Sequence, residues 1–518
     1  MEFKRITKYE AIMKHGLFAH LKHDLPASIV VFFVALPLCL GIALASHVPL
    51  FSGIIAGVIG GVVVGFISGS ALGVSGPAAG LVAIVISSVE TLGSWEAFLL
   101  AGVIAGILQL IAGFLRGGII AYYFPSSVIK GMLTGIGIII VLKQIPHLLG
   151  HDVTPLLLSM SDGELDINDI REALDDINPE VVIISIVSLL TLIFWEKVLV
   201  KKHKLFEMIQ GPLVVVILGI ALNLFYEHRL TSFSLDPSEL VQLPKFNKAS
   251  ELFNYLTLPD FSLITHLKIY KIAILIALIA SLETLLCVEA VDKLDPYKRV
   301  TSTDRELKAQ GVGNILSCLI GGLPITQVIV RSSANVAFGA KSKLSAILHG
   351  LLLFICVISI PEILNEIPLA SLASILIIIG YKLAKPALFK QMYKMGWEQF
   401  VPFMITIIGI IFSDLLFGIT LGFSLAIFII LRHHFLNSHD MIKTRGKNKT
   451  QYCLKLAEEV TFLNKGSIIN ELKNIPEGAE VVIDGSRSKI IDHDIKEVIQ
   501  NFILNSKTKN IQVKLIGI

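Results

Sequence analysis

Apolar stretches long enough to cross a bilayer, which takes about twenty residues in a helix, recur along this chain from residue 26 to residue 432. Only 16% of the 518 residues are charged and 54% are hydrophobic, whereas roughly a quarter of residues are charged in soluble domains. Lipid leaves backbone polar groups without partners, so spans of this kind must be helices. The sequence therefore predicts an all-α polytopic membrane domain.

Polar breaks between the apolar runs indicate about fourteen spans, several of them too short to cross alone. The predicted spans are 26–45, 50–67, 78–92, 97–115, 126–149, 180–200, 209–227, 269–288, 308–322, 327–338, 343–360, 367–381, 398–412 and 415–432. The predicted domains are a cytoplasmic N-terminal segment at 1–25, a transmembrane domain at 26–434, a linker at 435–450 and a small α/β domain at 451–518.

Charge placement gives an independent test of this count, because short cytoplasmic loops carry an excess of Lys and Arg. If the N-terminus is inside, every second connection should be basic. The basic connections lie at Arg116, 197–204, 293–308, 341–343, 382–394 and Arg432, which are the cytoplasmic positions on this count. The loop 150–178 falls outside and is strongly acidic. We therefore expect an even number of spans, with both termini on the cytoplasmic side of the cell's inner (plasma) membrane.

The long connection at 227–267 divides the spans into seven and seven, and an odd number per half places the two halves in opposite orientations. This predicts an inverted-topology repeat, in which transport sites form at interrupted spans in corresponding positions. The third span of each half is interrupted in this way. GVSGPAAG at 73–80 precedes one short apolar run, and GGLPITQ at 321–327 precedes the other.

Two half-helices that begin within the membrane would direct free N–H groups and positive dipole ends inward. Ala78 and Ala79 are small enough to let an ion approach the backbone. The alternative is that Gly and Ala here only permit tight helix packing. The pairing of two such segments favours an anion site near the midplane.

Two charged residues lie deep in the predicted spans, where a charge costs about 2.5 to 3.5 kcal/mol on insertion scales. Arg331, with Gln327 and Ser332 nearby, suits an oxyanion or a halide, unless its side chain snorkels to the interface. Glu283 could bind a coupling cation, relay a proton or pair internally with Arg331. The residues alone do not choose among these roles.

Several motifs along nearly the whole chain together resemble the SulP family of inorganic anion transporters. They are DLPAS at 24–28, LP at 36–37, VSGPAA at 74–79, REL at 305–307, QGVGN at 310–314, GGLP at 321–324, RSSANV at 331–336 and GAKS at 339–342. The resemblance implies two seven-span inverted repeats arranged as a core and a gate domain, with substrate between the third and tenth spans.

Carried over by position, the resemblance implies anion contacts from Pro77, Ala78 and Ala79 and from Gln327, Val328, Ile329 and Arg331. Ser332, the residue after Arg331, is a further predicted contact of the anion. Glu283 and Cys287 fall where sodium-coupled bicarbonate carriers of the family have a cation-binding Asp and a hydroxyl ligand. Both differ here in residue type, so the coupling ion, Na+ or H+, stays open.

The tail at 451–518 resembles a STAS domain, shortened at its end because the chain stops at Ile518. Two apolar strands near 481–484 and 511–515 flank an amphipathic helix at 494–504, which is an α/β pattern. A packing or dimerisation role for this tail leads us to expect a homodimer.

We therefore expect secondary active transport of an inorganic anion, bicarbonate or sulfate, by alternating access within lipid. A nucleobase permease of the same fold and a membrane sensor that signals through its tail are the alternatives. No nucleophile–base set, phosphate loop or metal-ligand cluster is evident, so we expect neither an enzyme nor a metal or other cofactor. The net charge of +3 is too small to suggest nucleic acid as a partner.

Overall fold

The computed structural model of the chain describes residues 18–119, 125–150, 178–202, 206, 210–229, 235–244, 255–413, 415–436, 439–445 and 450–518. Most of the predicted N-terminal segment 1–25 and of the acidic loop 150–178 lies outside these residues. Their predicted sides of the membrane therefore stay predictions.

Each of the fourteen predicted spans falls on a helix or on a strand followed by a helix in the described part of the chain. The helices are α1 Leu21–Ala45, α2 Leu50–Ile67, α3 Val82–Leu92, α4 Trp95–Phe114, α5 Ser126–Leu149, α6 Pro179–Leu199, α7 Gly211–Arg229, α8 Leu267–Leu294, α9 Thr303–Leu319, α10 Ile329–Ala337, α11 Leu344–Ser359, α12 Leu369–Leu383, α13 Trp397–Phe412 and α14 Leu415–Leu436. Strand β1, Ser75–Pro77, precedes α3, and strand β2, Ile325–Gln327, precedes α10. Among the described residues, eight helices are long and apolar enough to cross a membrane, and four shorter ones are also apolar.

The spans of both halves follow the same order: two helices, a short strand with a short helix, and four further helices. The second half has two additional short helices between its spans, Pro361–Asn365 and Pro386–Lys394. Contacts between the two halves are also equivalent in both directions. The second helix of each half packs on the fourth helix of the other, α2 on α11 and α9 on α4. The two contacts use glycine pairs, Gly61 with Gly350 and Gly311 with Gly106, and an added Cβ at any of the four would lie within 3 Å of the partner glycine's backbone.

The fifth helices of the two halves, α5 and α12, cross each other at Gly137 and Gly380, where a Cβ on either would meet the other's carbonyl oxygen at less than 3 Å. Small residues at helix crossings allow the close backbone approach that membrane helices use for packing. The contact between the equivalent helices α5 and α12, together with the contacts of α2 with α11 and of α9 with α4, is the arrangement expected of an inverted repeat. The predicted fold of the membrane domain is confirmed.

Local sequence explains why the third and tenth spans are broken. Pro77 and Pro324 favour extended backbone at the residues before them and lack an N–H donor, so a helix is readily interrupted at either position. Gly321 has φ 89°, a conformation that favours glycine. A Cβ at Gly321 would also lie 2.9 Å from the backbone of Thr257.

The chain forms two compact units, the first comprising Met1–Gln391 with Thr406–Ile419, and the second Met392–Ile405 with Thr420–Ile518. The second contains a four-stranded sheet in the order β3-β4-β6-β8. Its elements are β3 His439–Arg445, β4 Thr450–Leu456, β5 Glu459–Val460, α15 Lys465–Lys473, β6 Glu480–Asp484, β7 Ile490–Ile491, α16 His493–Ser506 and β8 Gln512–Ile516. Strand β3 pairs antiparallel with β4, and the other two pairings in this sheet are parallel.

The predicted α/β pattern of the tail is confirmed, since β6, α16 and β8 lie where the two strands and the helix were expected. The sheet begins earlier than the predicted boundary at residue 451. Strand β3 lies inside the segment 435–450 that was expected to be a linker, and it pairs along its whole length with β4. Met441 and Ile442 are the only apolar residues of β3, and this pattern is too weak to separate an edge strand from a linker by sequence.

Candidate functional site

The two interrupted spans meet in a buried two-stranded ribbon. Strands β1 and β2 run antiparallel, with Gly76 opposite Thr326, and all six of their residues are buried. The backbone N–H of Val328 donates to the carbonyl of Val74 at 2.9 Å. The ribbon therefore brings the starts of the two following helices together, as the sequence predicted.

Neither helical segment is capped by the side chain of its own N-cap residue. Ala78 and Val328 have extended backbone, and their side chains accept no hydrogen bond from the N–H groups that follow. The free N–H groups of a first turn and the helix dipole make such ends electropositive. Two such buried ends beside each other constitute a candidate anion site.

One face of α8 lines both of these ends. The backbone N–H of Gly80 donates to the Glu283 carboxylate, and the N–H of Ile329 points to the sulfur of Cys287. The carboxylate packs so closely on Gly80 that a Cβ there would lie 2.6 Å from Oε1. The other oxygen, Oε2, is buried and has no hydrogen-bond partner. Glu283 therefore lies at the N-terminal end of the α3 segment with one oxygen free for a proton or a cation.

Arg331, on the first turn of α10, is the largest fully buried side chain among the described residues. Its Nη2 donates to the sulfur of Cys39 on α1 at 3.3 Å, and its Nη1 lies beside Gly76 of β1. Nε and Nη1 are buried without partners. No carboxylate among the described residues forms an ion pair with it, so the alternative of an internal Arg331–Glu283 pair is not realised. A buried guanidinium without a counter-ion is costly, and an incoming anion would offset that cost.

Helix α9 supports the ribbon from one side with buried polar residues spaced one turn apart. Glu306 accepts from the hydroxyl of Ser68 at 2.6 Å, in the loop before β1. Gln310 donates to Glu306 at 3.1 Å and to the hydroxyl of Ser75 at 2.8 Å. These bonds hold the irregular backbone that precedes α3.

The same stripe continues to β2. Asn314 accepts from the N–H of Ile325 at 2.5 Å and donates to the carbonyl of that residue at 3.1 Å. Its amide also donates to Gln109 on α4 at 2.6 Å, and the Ser317 hydroxyl donates to the carbonyl of Leu323 at 2.7 Å. The sequence analysis did not include these residues among the predicted site residues. Their spacing along one face of a helix could have indicated them, and Glu306, Gln310 and Asn314 all lie in motifs quoted above.

With this geometry in place, comparison with known proteins identifies the family. A sequence profile described as the sulfate permease family matches residues 21–406, which is most of the chain. The chain belongs to that family. Its members are anion transporters of the membrane, so the predicted SulP resemblance is confirmed, and membership also agrees with the expectation that the chain is not an enzyme.

Relatives of this chain are named as sulfate transporters or as bicarbonate transporters. A putative sulfate transporter of Bacillus subtilis, YvdB, is 26% identical over 414 residues, which cover 79% of this chain and 73% of the relative. The bicarbonate transporter BicA of Picosynechococcus is 23% identical over 319 residues, covering 61% of this chain and 52% of the relative.

Two solved structures share the fold. The transmembrane domain of a cyanobacterial BicA superposes with a TM-score of 0.65 at 20% identity, covering 79% of this chain and 98% of that domain. SLC26A9 superposes with a TM-score of 0.80 at 14% identity, covering 100% of this chain and 89% of that chain.

Within the family fold, the predicted site residues lie together on the two converging spans. Pro77, Ala78 and Ala79 end β1 and begin the α3 segment, and Gln327, Val328, Ile329, Arg331 and Ser332 occupy the matching stretch of β2 and α10. Their contact with an anion stays a prediction.

Two of these side chains take positions that the sequence did not indicate. The Ser332 hydroxyl bridges the two spans, because it accepts from the N–H of Val74 at 2.9 Å and donates to the carbonyl of Val328 at 2.8 Å. The Gln327 side chain lies against Gly73, with both of its amide atoms unpartnered. Ser332 thus braces the ribbon, whereas Gln327 keeps its hydrogen-bonding capacity free.

Proposed function

We propose that this chain is a secondary active transporter of a small inorganic anion, bicarbonate or sulfate. The observation that carries the proposal is the convergence of two buried helix N-terminal ends beside Arg331, whose buried Nε and Nη1 have no partner. Backbone N–H groups and a guanidinium are the donors that oxyanions bind most strongly. The names of the sulfate and bicarbonate relatives support the same substrate class.

Transport then requires alternating access. Helices α4, α8 and α9 pack together around the ribbon, and α5, α6, α7 and α12 form a second set of mutual contacts. We take these sets as parts of the core and gate domains. Displacement of the core against the gate would carry the anion between the two sides of the membrane while the ribbon stays intact.

The coupling ion binds at Glu283 in this proposal. Its carboxylate lies at the Gly80 N–H, at one end of the anion site, so a cation or proton there would favour anion binding nearby. Cys287 supplies sulfur where a hydroxyl would suit sodium, which binds oxygen ligands. This favours H+ over Na+ as the coupling ion.

The remaining features of the proposal concern assembly and placement. We infer that the α/β tail is a STAS-like domain, that the chain works as a homodimer, and that it resides in the cell's inner (plasma) membrane with both termini cytoplasmic. The tail's sheet with parallel strands and two helices supports the first inference.

Purified protein in proteoliposomes tests the function. Labelled sulfate, bicarbonate, chloride and dicarboxylates would be supplied with and without a sodium gradient and a pH step. We expect saturable uptake of bicarbonate or sulfate that increases with one of the two gradients. Arg331→Gln is the matched control, because it removes the charge and keeps a polar side chain. Uptake of labelled uracil alone would support the permease alternative, and no uptake of any solute would support a sensor.

A further inference from the structure

Helix α11 carries a buried histidine, His349, in the neighbourhood of Arg331. His349 is fully buried, and its Nδ1 lies 2.5 Å from the carbonyl oxygen of Ala346, one turn earlier. A carbonyl only accepts, so Nδ1 carries the proton in this contact. In the neutral ring Nε2 then presents a lone pair, and that atom is buried without a partner. His349 is thus an acceptor with no donor.

The donors that match this acceptor belong to Arg331. Arg331 lies close enough for its positive charge to act on the imidazole of His349. Nε and Nη1 of the guanidinium are both buried without partners. A buried polar group without a hydrogen-bond partner costs free energy. A hydrogen bond between His349 Nε2 and an N–H of Arg331, direct or through a water, would remove this cost for both groups. A neutral ring is the form that fits beside a buried guanidinium, because a second positive charge there would be costly.

A local irregularity in α2 lies close to both side chains. The helix widens into a π-helical turn at Gly60–Val64, a feature frequent at functional sites. Gly60 packs on the backbone of β1, where an added Cβ would lie 2.8 Å from the Gly76 nitrogen. Gly61, the next residue, packs on His349, where a Cβ would lie 2.7 Å from Cε1 of the ring. Gly76 in turn leaves room for Nη1 of Arg331. The contacts of these three glycines therefore run from the imidazole of His349 along α2 to β1 and the guanidinium of Arg331.

We propose that His349 is a positioning residue of the anion site. Its Nε2 accepts a hydrogen bond from the Arg331 guanidinium, directly or through a water, when the anion site is occupied, and holds that group toward the starts of the α3 and α10 segments. His349 acts on the anion only through Arg331. This inference rests on the proposed function and adds a residue from α11 to the site.

Two substitutions separate positioning from simple packing. His349→Leu keeps much of the buried volume and removes the acceptor, whereas His349→Gln retains an acceptor at similar reach. We expect the KM for sulfate or bicarbonate uptake to rise about tenfold in His349→Leu, because a hydrogen bond to a charged group is lost. Vmax should change little. His349→Gln should restore most of the affinity, which a purely structural role does not predict. Ser345→Ala, on the same helix, is the control and should leave KM unchanged.

A double-mutant cycle tests the route of action. In an Arg331→Gln background, His349→Leu should produce no further loss of anion affinity. The second readout is the shift in melting temperature that sulfate or bicarbonate causes in detergent, which needs no transport. Equal KM and equal anion-dependent stabilisation in wild type and His349→Leu would overturn the assignment, as would additive effects in the cycle. A wild-type protein with neither uptake nor anion-dependent stabilisation would refute the transport proposal itself, and the inference with it.

Discussion

Gly76→Ala tests the anion site with the smallest possible change. Gly76 lies in β1 opposite Thr326, and it does not have a positive φ, so alanine introduces no backbone strain. The added Cβ would lie 2.2 Å from Nη1 of Arg331. Since non-bonded heavy atoms approach to about 3.5 Å, the guanidinium must move by on the order of 1 Å. The end of an arginine side chain can move this far, and the protein should still fold.

A displacement of this size breaks a charge-assisted hydrogen bond to the anion, which contributes about 1.5 to 3 kcal/mol. At about 1.4 kcal/mol for each factor of ten, KM should rise between about ten and one hundred fold. Initial rates of labelled sulfate and bicarbonate uptake into proteoliposomes measure this change. Gly211→Ala is the matched control, because its nearest contact would be a leucine methyl at 3.3 Å. Gly76→Ala with normal folding and an unchanged KM would refute the position assigned to Arg331.

Three further substitutions test separate parts of the site. Arg331→Gln should raise KM by about ten to one hundred fold or abolish uptake, and saturable wild-type-like uptake would contradict its role. Glu283→Gln should leave anion uptake that no longer responds to a sodium or proton gradient, and a variant that stays gradient-coupled would show that the coupling site lies elsewhere. Asn314→Leu should lower the melting temperature in detergent by several degrees, because the N–H and C=O of Ile325 each lose a partner at about 1 to 3 kcal/mol. An unchanged melting temperature would show that α9 does not hold the ribbon.

The sequence predicted the number and order of the spans because two independent patterns agree on them. Apolar length identifies helices, and alternating basic loops fix an even count. The third and tenth spans were predicted as the site for a local reason, since Pro77 and Pro324 with neighbouring glycines interrupt an apolar run. Signals of this kind lie within a few residues of the feature that they predict.

Features that depend on distant partners could not be predicted in the same way. Arg331 was expected at the site, but its contact with Cys39 joins residues nearly three hundred positions apart. The Asn314 contact with Gln109 likewise crosses between halves of the chain. Nothing in a single sequence says which buried polar groups will meet. The strand before residue 451 was missed for a different reason, because an edge strand has no continuous apolar face.

The two charged residues of the site occupy different ends of it, and this separation bears on coupling. Glu283 accepts from Gly80 at the α3 segment, so the protein's own carboxylate occupies one of the two electropositive ends. Arg331 lies on the α10 side with free donors. In the proposed mechanism, an anion that enters between them is attracted by one and repelled by the other. A cation or proton on the free Oε2 of Glu283 would remove the repulsion and increase anion affinity, and by linkage the anion would increase affinity for the cation or proton by the same factor. Direct pairing of Glu283 with Arg331 would have cancelled both charges and left no such dependence, which is why their separation matters for a carrier driven by a gradient.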